Sequence, residues 1–213
     1  MPKELESVDV LIIGAGLSGI GGACQLRRNC PERSFMIFES RAASGGTWDL
    51  FRYPGIRSDS DMYTFSYGFK PWRDPSAIAD GDKILNYIRE TAAEYDVERH
   101  IQYQRKVVSA RWSSTEKRWT VTAECSDTGE SVTVSCQFIF SCSGYYDYEQ
   151  GYTPEFVGLN DFSGTVVHPQ QWPEDLDYKG KRVVVIGSGA TAVTLVPTMA
   201  KDTASMVMLQ RSP

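Results

Sequence analysis

The chain has 213 residues, 41% of them hydrophobic and 23% charged, with a formal net charge of −5. That is the composition of an ordinary globular protein, long enough for one large domain or for one domain and part of another. Net negative charge without a lysine or arginine block gives no reason to expect nucleic acid or an anionic membrane as a partner, and no apolar run approaches a membrane span. Met1 to Ser7 is polar and has no apolar signal core. The five cysteines, Cys24, Cys30, Cys125, Cys136 and Cys142, form no C-x-x-C pair. Reduced thiols in a cytoplasm are therefore expected, without a redox disulfide or a zinc site.

The first element predicted is a buried parallel strand at Leu11-Ile12-Ile13, an apolar run too short for a helix and bounded by glycine. Gly14, Gly16 and Gly19 then give the spacing G-x-G-x-x-G, with Ser18 inside it. In a dinucleotide-binding turn these glycines serve the tight bend, the approach of a pyrophosphate and close packing of helix on strand. The phosphates would sit at the N-terminus of a helix over Leu17 to Arg28, where free N–H groups and the helix dipole favour anions. A second strand, Phe35 to Phe38, ends in Glu39, about twenty residues on, where a ribose-binding carboxylate is expected. A chance glycine-rich βα turn is the competing reading. The irregular stretch from Ser40 to about Asp61 holds Trp48, Phe51 and Tyr53 beside Arg52 and Arg57. Long loops in compact domains are usually functional, and this one lacks the composition of disorder. Apolar residues recur at helical spacing from Lys83 to Tyr95, with Asp82 as a candidate N-cap.

From Ile101 to Phe140 the period changes to two. Val107–Trp112, Trp119–Ala123 and Val132–Val134 are predicted as short antiparallel strands, and Phe138-Ile139-Phe140 as a separate return to the buried parallel sheet. The small-residue turn Ser141-Cys142-Ser143-Gly144 suits close approach by a ligand. A domain boundary is placed in the tyrosine-rich crossover that follows. A second unit then repeats the pattern: the strand Val183–Ile186, the turn Gly187-Ser188-Gly189-Ala190-Thr191-Ala192, a helix from about Ala190 to Ala200 and a strand Met206–Leu209. Its third glycine is replaced by Ala192, an allowed variant. After the last strand come Gln210 and Arg211 instead of an acid, and a cation there suits the 2′-phosphate of NADP; a solvated surface arginine is the alternative. One βα crossover does not bury both faces of its sheet, so this second domain is expected to be incomplete as given.

Two dinucleotide folds in series, the first with Glu39 and the second with Arg211, point to a flavoprotein reduced by NADPH. The segment from Phe162 to Pro173 sharpens this, fitting F-x-G-x-x-x-H-x-x-x-W-P with Phe162, Gly164, His168, Trp172 and Pro173. It resembles the fingerprint of the Baeyer–Villiger type of class B flavin monooxygenases. The related N- and S-oxidising flavin monooxygenases resemble it except at the last two positions. His168 is expected to anchor the linker between domains and not to transfer protons. Gly45-Gly46-Thr47-Trp48 and Arg52-Tyr53-Pro54-Gly55 also resemble the family's flavin-contacting loop, for which a core role of Trp48 is the alternative.

The resemblance implies an α/β fold: a Rossmann-like FAD-binding domain with an antiparallel β-meander over residues 1–148, then a linker and the beginning of a Rossmann-like NADP-binding domain over 149–213. It implies FAD contacts from Gly46, Thr47, Trp48, Arg52, Asp59, Tyr63, Val107, Ser143 and Gly144, in addition to the first glycine loop and Glu39. NADPH contacts fall to Gly187, Gly189, Thr191, Ala192, Arg211 and Ser212. Asp59 matches the family's active-site aspartate, which supports a catalytic arginine from a later segment; an N-cap of a helix opening at Met62 is the alternative. The implied activity is insertion of one oxygen atom from O2 into ketones, giving esters or lactones, and oxidation of sulfur compounds such as thioethers or thioamides. An N- or S-oxidising enzyme and a non-catalytic FAD-binding module remain alternatives. A disulfide-reductase type of flavoprotein would need a redox cysteine pair. The chain as given is not expected to complete a monooxygenase cycle alone.

Overall fold

The structure, a computed structural model, describes residues 6–211. In chain order the elements are β1 (Glu6–Ile13), α1 (Leu17–Asn29), β2 (Phe35–Phe38), α2 (Thr47–Leu50), α3 (Met62–Phe65), α4 (Gly81–Glu94), β3 (Ile101–Gln102), β4 (Arg105–Ser113), β5 (Arg118–Cys125), β6 (Ser131–Ser141), β7 (Arg182–Ile186), α5 (Ala190–Met199) and β8 (Ser205–Leu209). Ser212 lies outside the described residues. None of the described helices is long and apolar enough to cross a membrane.

Two compact units form. One combines the residues up to Asp49 with Ile84–Tyr145; the other combines Leu50–Lys83 with the residues from Tyr146 onward. The first is built on a six-stranded sheet of order β3-β2-β1-β6-β5-β4. β1 runs parallel to both β2 and β6, which pairs Val10 with Phe35 on one side and with Phe138 on the other. Leu11 and Ile12 are fully buried there, as a central parallel strand with both faces covered requires. Leu11, Met36, Phe38, Val121, Ala123, Val134 and Cys136 form one continuous core beneath the sheet. The architecture is the expected α/β one, with a parallel nucleus extended by an antiparallel meander.

Three sequence expectations need correction. The strands predicted at Val132–Val134 and Phe138–Phe140 are one strand, β6, which pairs antiparallel with β5 through its first half and parallel with β1 through most of its length. The meander and the parallel strands therefore share one sheet. Phe138 and Phe140 are exposed, and only Ile139 between them packs on the core. Third, Asp82 is not an N-cap. It sits within the first turn of α4, where its charge still favours the positive end of the helix dipole.

In the second unit β7 and β8 pair in parallel, Val184 facing Val207 and Ile186 facing Leu209. Val183, Val185 and Met206 pack on one side, together with Leu195 and Met199 of α5. Phe51 and Tyr53 belong to that same core. Leu50–Lys83 is closed on itself by Ser58 and Met62, whose N–H groups donate to Ala79 O (2.8 Å) and Ala77 O (2.7 Å).

Candidate cofactor-binding site

The β1–α1 turn is shaped by what lies next to it. Gly14 has φ +102°, and a Cβ there would lie 2.5 Å from the Cys142 carbonyl oxygen. Only glycine suits both the backbone angle and the closeness. The approach is set by β6, since the Cys142 N–H donates to Ile13 O at 2.8 Å. A Cβ at Gly19 would overlap the Gly14 carbonyl, so the third glycine does set the distance of helix from loop. Gly16 is the N-cap of α1 in extended backbone, and no side chain caps that end. The first-turn N–H groups of a helix need acceptors, and here an anion can supply them. Ser18 is exposed beside them.

Glu39 is buried, at 4% exposure. Its Oε2 accepts the Ala15 N–H at 2.7 Å and its Oε1 the Arg41 N–H at 2.9 Å. The acid at the end of β2 is thus tied directly to the glycine loop, with further lone pairs left for a hydroxyl. Gly46 also reaches this loop: a Cβ on Gly16 would lie 3.6 Å from Gly46 Cα, and the Gly45 N–H donates to Ala15 O at 2.9 Å. Thr47 and Trp48 open α2 and are half-buried. Val107 stands at a register shift of the β4–β5 ladder and packs on the core. Ser143 and Gly144 follow β6 and are exposed.

Arg52, Asp59 and Tyr63 lie in the second unit. Arg52 pairs with Asp82 at 3.5 Å. Tyr63 donates its hydroxyl to the Asp74 carbonyl at 3.3 Å. Asp59 is exposed and is not the cap of α3: that role belongs to Asp61, whose Oδ1 accepts the Thr64 N–H at 2.9 Å. Burial pushes the Tyr53 phenol up, a bond to Thr191 opposes this, and the charge of Asp59 adds to the rise. Tyr53 therefore links the residues after α2 to the turn that opens α5.

That turn repeats the first in outline. Gly187 has φ +119°, and its N–H donates to Leu209 O at 2.8 Å. Gly189 is the N-cap of α5, again without a side-chain cap. Ala192 is buried, while Arg211 is exposed beyond β8. Unlike Gly14, neither Gly187 nor Gly189 has anything within 4 Å of its would-be Cβ.

The F-x-G-x-x-x-H-x-x-x-W-P segment holds the linker. His168 Nδ1 accepts the Gln170 N–H at 3.3 Å, and a Cβ on Gly151 would strike its ring. Gln170 and Gln171 donate to the carbonyls of Asp147 and Glu149. Trp172 packs with Tyr178. These contacts fold the segment back on residues 147–151 of the same unit.

Residues 7–212 match the family model for flavin-binding monooxygenase-like proteins. This chain belongs to that family. It is 57% identical over 209 residues to the FAD-containing monooxygenase EthA of Mycobacterium tuberculosis (strain ATCC 25618 / H37Rv), covering 98% of this chain and 42% of the relative. Among solved structures, oxidized steroid monooxygenase bound to NADP superposes with a TM-score of 0.83 at 33% identity, over 97% of this chain and 39% of that one. A complex of OTEMO with FAD and NADP gives 0.82 at 30%, over 99% and 40%. The chain thus spans about two-fifths of the length of these family members. Sequence reasoning passed over Arg41, Asp49 and Arg89, which meet behind the Gly46 loop. Their only signal was a lone acid among arginines in a glycine-rich stretch.

Proposed function

We propose that this chain binds FAD at its first glycine loop and NADPH at its second, and serves a Baeyer–Villiger type of monooxygenase. The observation that carries this is the repeated geometry: Gly16 and Gly189 each begin a helix whose N-terminus no side chain caps. The residues fit the cofactors. Glu39 is buried beneath the first loop with lone pairs to spare for a ribose hydroxyl. Arg211 would grip a 2′-phosphate through a charge-assisted bond. FAD, when bound, supplies the redox and oxygen-activating chemistry. The chain's own residues bind, orient and exclude water. The N-termini of α1 and α5 neutralise phosphate charge; Asp59 charge-balances a cation at the reacting centre; Gly46, Thr47, Trp48, Arg52, Tyr63, Val107, Ser143 and Gly144 line the flavin, and Gly187, Thr191, Ala192 and Ser212 the NADPH.

The division of labour, FAD on residues 1–148 and NADPH from 149 onward, differs from the compact units, because Leu50–Lys83 packs in the second. Ketones and sulfur compounds such as thioethers or thioamides are the proposed substrates, with O2 as co-substrate. Trp172-Pro173 at the end of the fingerprint favours the ketone-oxygenating type. The scattered spacing of the five cysteines, without a C-x-x-C pair, supports a cytoplasmic setting.

The test uses the natural protein that contains this chain. It should purify yellow and oxidise NADPH faster than NADH in the presence of ketones or thioethers. Gly16→Val should abolish the colour, because its side chain would extend from a Cβ 3.6 Å from Gly46 Cα into the space between the first glycine loop and Gly46. Stoichiometric flavin in the Gly16→Val protein would sink the assignment.

A further inference from the structure

Three charged side chains that no step above uses meet in the first unit. Asp49, its side chain only 10% exposed, holds a guanidinium on each carboxylate oxygen: Arg41 Nη2 at 2.6 Å from Oδ2 and Arg89 Nη2 at 2.6 Å from Oδ1. Each arginine also donates to a carbonyl of the loop before Asp49. Arg41 reaches Gly46 O at 3.3 Å and Arg89 reaches Ser44 O at 3.1 Å. The Ser44–Thr47 loop is therefore gripped near both ends. Its middle is tied to the first glycine loop by the Gly45 N–H on Ala15 O. Arg41 extends the linkage, since its own N–H donates to Glu39.

Exposed ion pairs contribute little to stability. This cluster differs in two respects. The carboxylate is largely buried and its bonds are short and charge-assisted, which roughly doubles the strength of each.

We propose that Asp49 is a positioning residue for the flavin: by holding Arg41 and Arg89 it fixes Ser44–Trp48 against the first glycine loop, so that the loop meets the dinucleotide in a single arrangement. This rests on the assignment of FAD to that loop. Asp49→Asn keeps the shape but removes the charge that holds both arginines, so the loop loosens and FAD binding weakens.

The experiment titrates FAD into the deflavinated natural protein, followed by flavin fluorescence. Asp49→Asn, Asp49→Glu, Arg89→Gln and Arg33→Gln are compared with wild type. Arg33→Gln breaks an exposed ion pair with Asp9 and serves as the comparator. Asp49→Asn should raise the FAD Kd about tenfold or more, as expected for losing charged hydrogen bonds. Asp49→Glu should recover part of the loss, and Arg33→Gln should match wild type. The visible circular dichroism of bound flavin should change in Asp49→Asn, and its loss of affinity should exceed what any fall in the flavin-free melting temperature accounts for. If Asp49→Asn does not fold, Arg89→Gln decides: it lies on an exposed helix face, and a severalfold weaker FAD affinity is expected. Wild-type affinity in both variants, or losses that only track the flavin-free melting temperature, overturn the proposal while FAD assignment stands. A wild-type protein that binds no FAD overturns both.

Discussion

Glu39 illustrates how one side chain serves the fold and the ligand together. Its carboxylate accepts the backbone N–H groups of Ala15 and Arg41, so truncation strands one buried and one part-buried donor before any cofactor is present. Glu39→Ala should therefore destabilise the flavin-free protein by about 1–3 kcal/mol, the desolvation cost of an unsatisfied buried polar group. Urea unfolding of wild type and variant measures it, and equal midpoints would show that the two bonds add nothing. The position of Glu39 was legible because strand length and helix length fix the spacing from the glycine loop. Its double bond to the backbone was not, because the partners come from residues 24 places before it and two after it. The cap of α3 shows the same limit at closer range. Asp59 and Asp61 are equivalent as residue types, and only the backbone geometry selects Asp61.

The elements of the first unit are tied by a histidine that should stay neutral. His100 stacks on Phe35 of β2 with ring centroids 4.4 Å apart, and its Nε2 lies 3.3 Å from Arg27 Nη1 near the end of α1. Burial first, then the charges of Arg99 and Arg27, hold its pKa below the ordinary 6.5, against the pull of Asp96. A base with a depressed folded-state pKa binds fewer protons folded than unfolded. Its stabilisation is complete above the unfolded value near 6.5 and is lost as pH falls through the lower folded value. The melting temperature should then drop between about pH 7 and about pH 5, and drop less in His100→Gln, which keeps an acceptor for Arg27 without titrating. Parallel pH profiles would count against this. Helices and strands were read from period and length with small errors. β6 was split in two because its alternation gives way to Phe138-Ile139-Phe140, an apolar run that resembles a buried strand. In the structure β5 pairing stops at Cys136, and of the two phenylalanines beyond it Phe138 is exposed while Phe140 lies with its ring against Gly22 of α1.

Across the molecule, the two nucleotide units are unequally covered. β7 and β8 place Val183, Val185 and Met206 against α5, while Val184, Ile186, Val207 and Leu209 face outward and are exposed. Contiguous apolar patches of this kind drive association. Residues 1–213 should accordingly self-associate with rising concentration, and Val184→Lys with Val207→Lys should suppress it; light scattering reads both, and a monodisperse wild type would refute the expectation. The doubling of the dinucleotide unit was plain from two glycine spacings. The packing of Leu50–Lys83 with the later residues was not, since Phe51 and Tyr53 carry no mark in sequence of the helix they will meet, more than 100 residues on. Strand order has a further consequence, in time instead of space. β1 gains β2 soon after it is made, but its other neighbour, β6, lies about 130 residues downstream. At ribosomal rates of roughly 5–20 residues per second, that edge of β1 waits on the order of 7–26 seconds for its partner. Through that interval a central strand of the nascent chain presents unpaired N–H and C=O groups on one edge, so slow synthesis across the meander is where this protein is most exposed to misassembly.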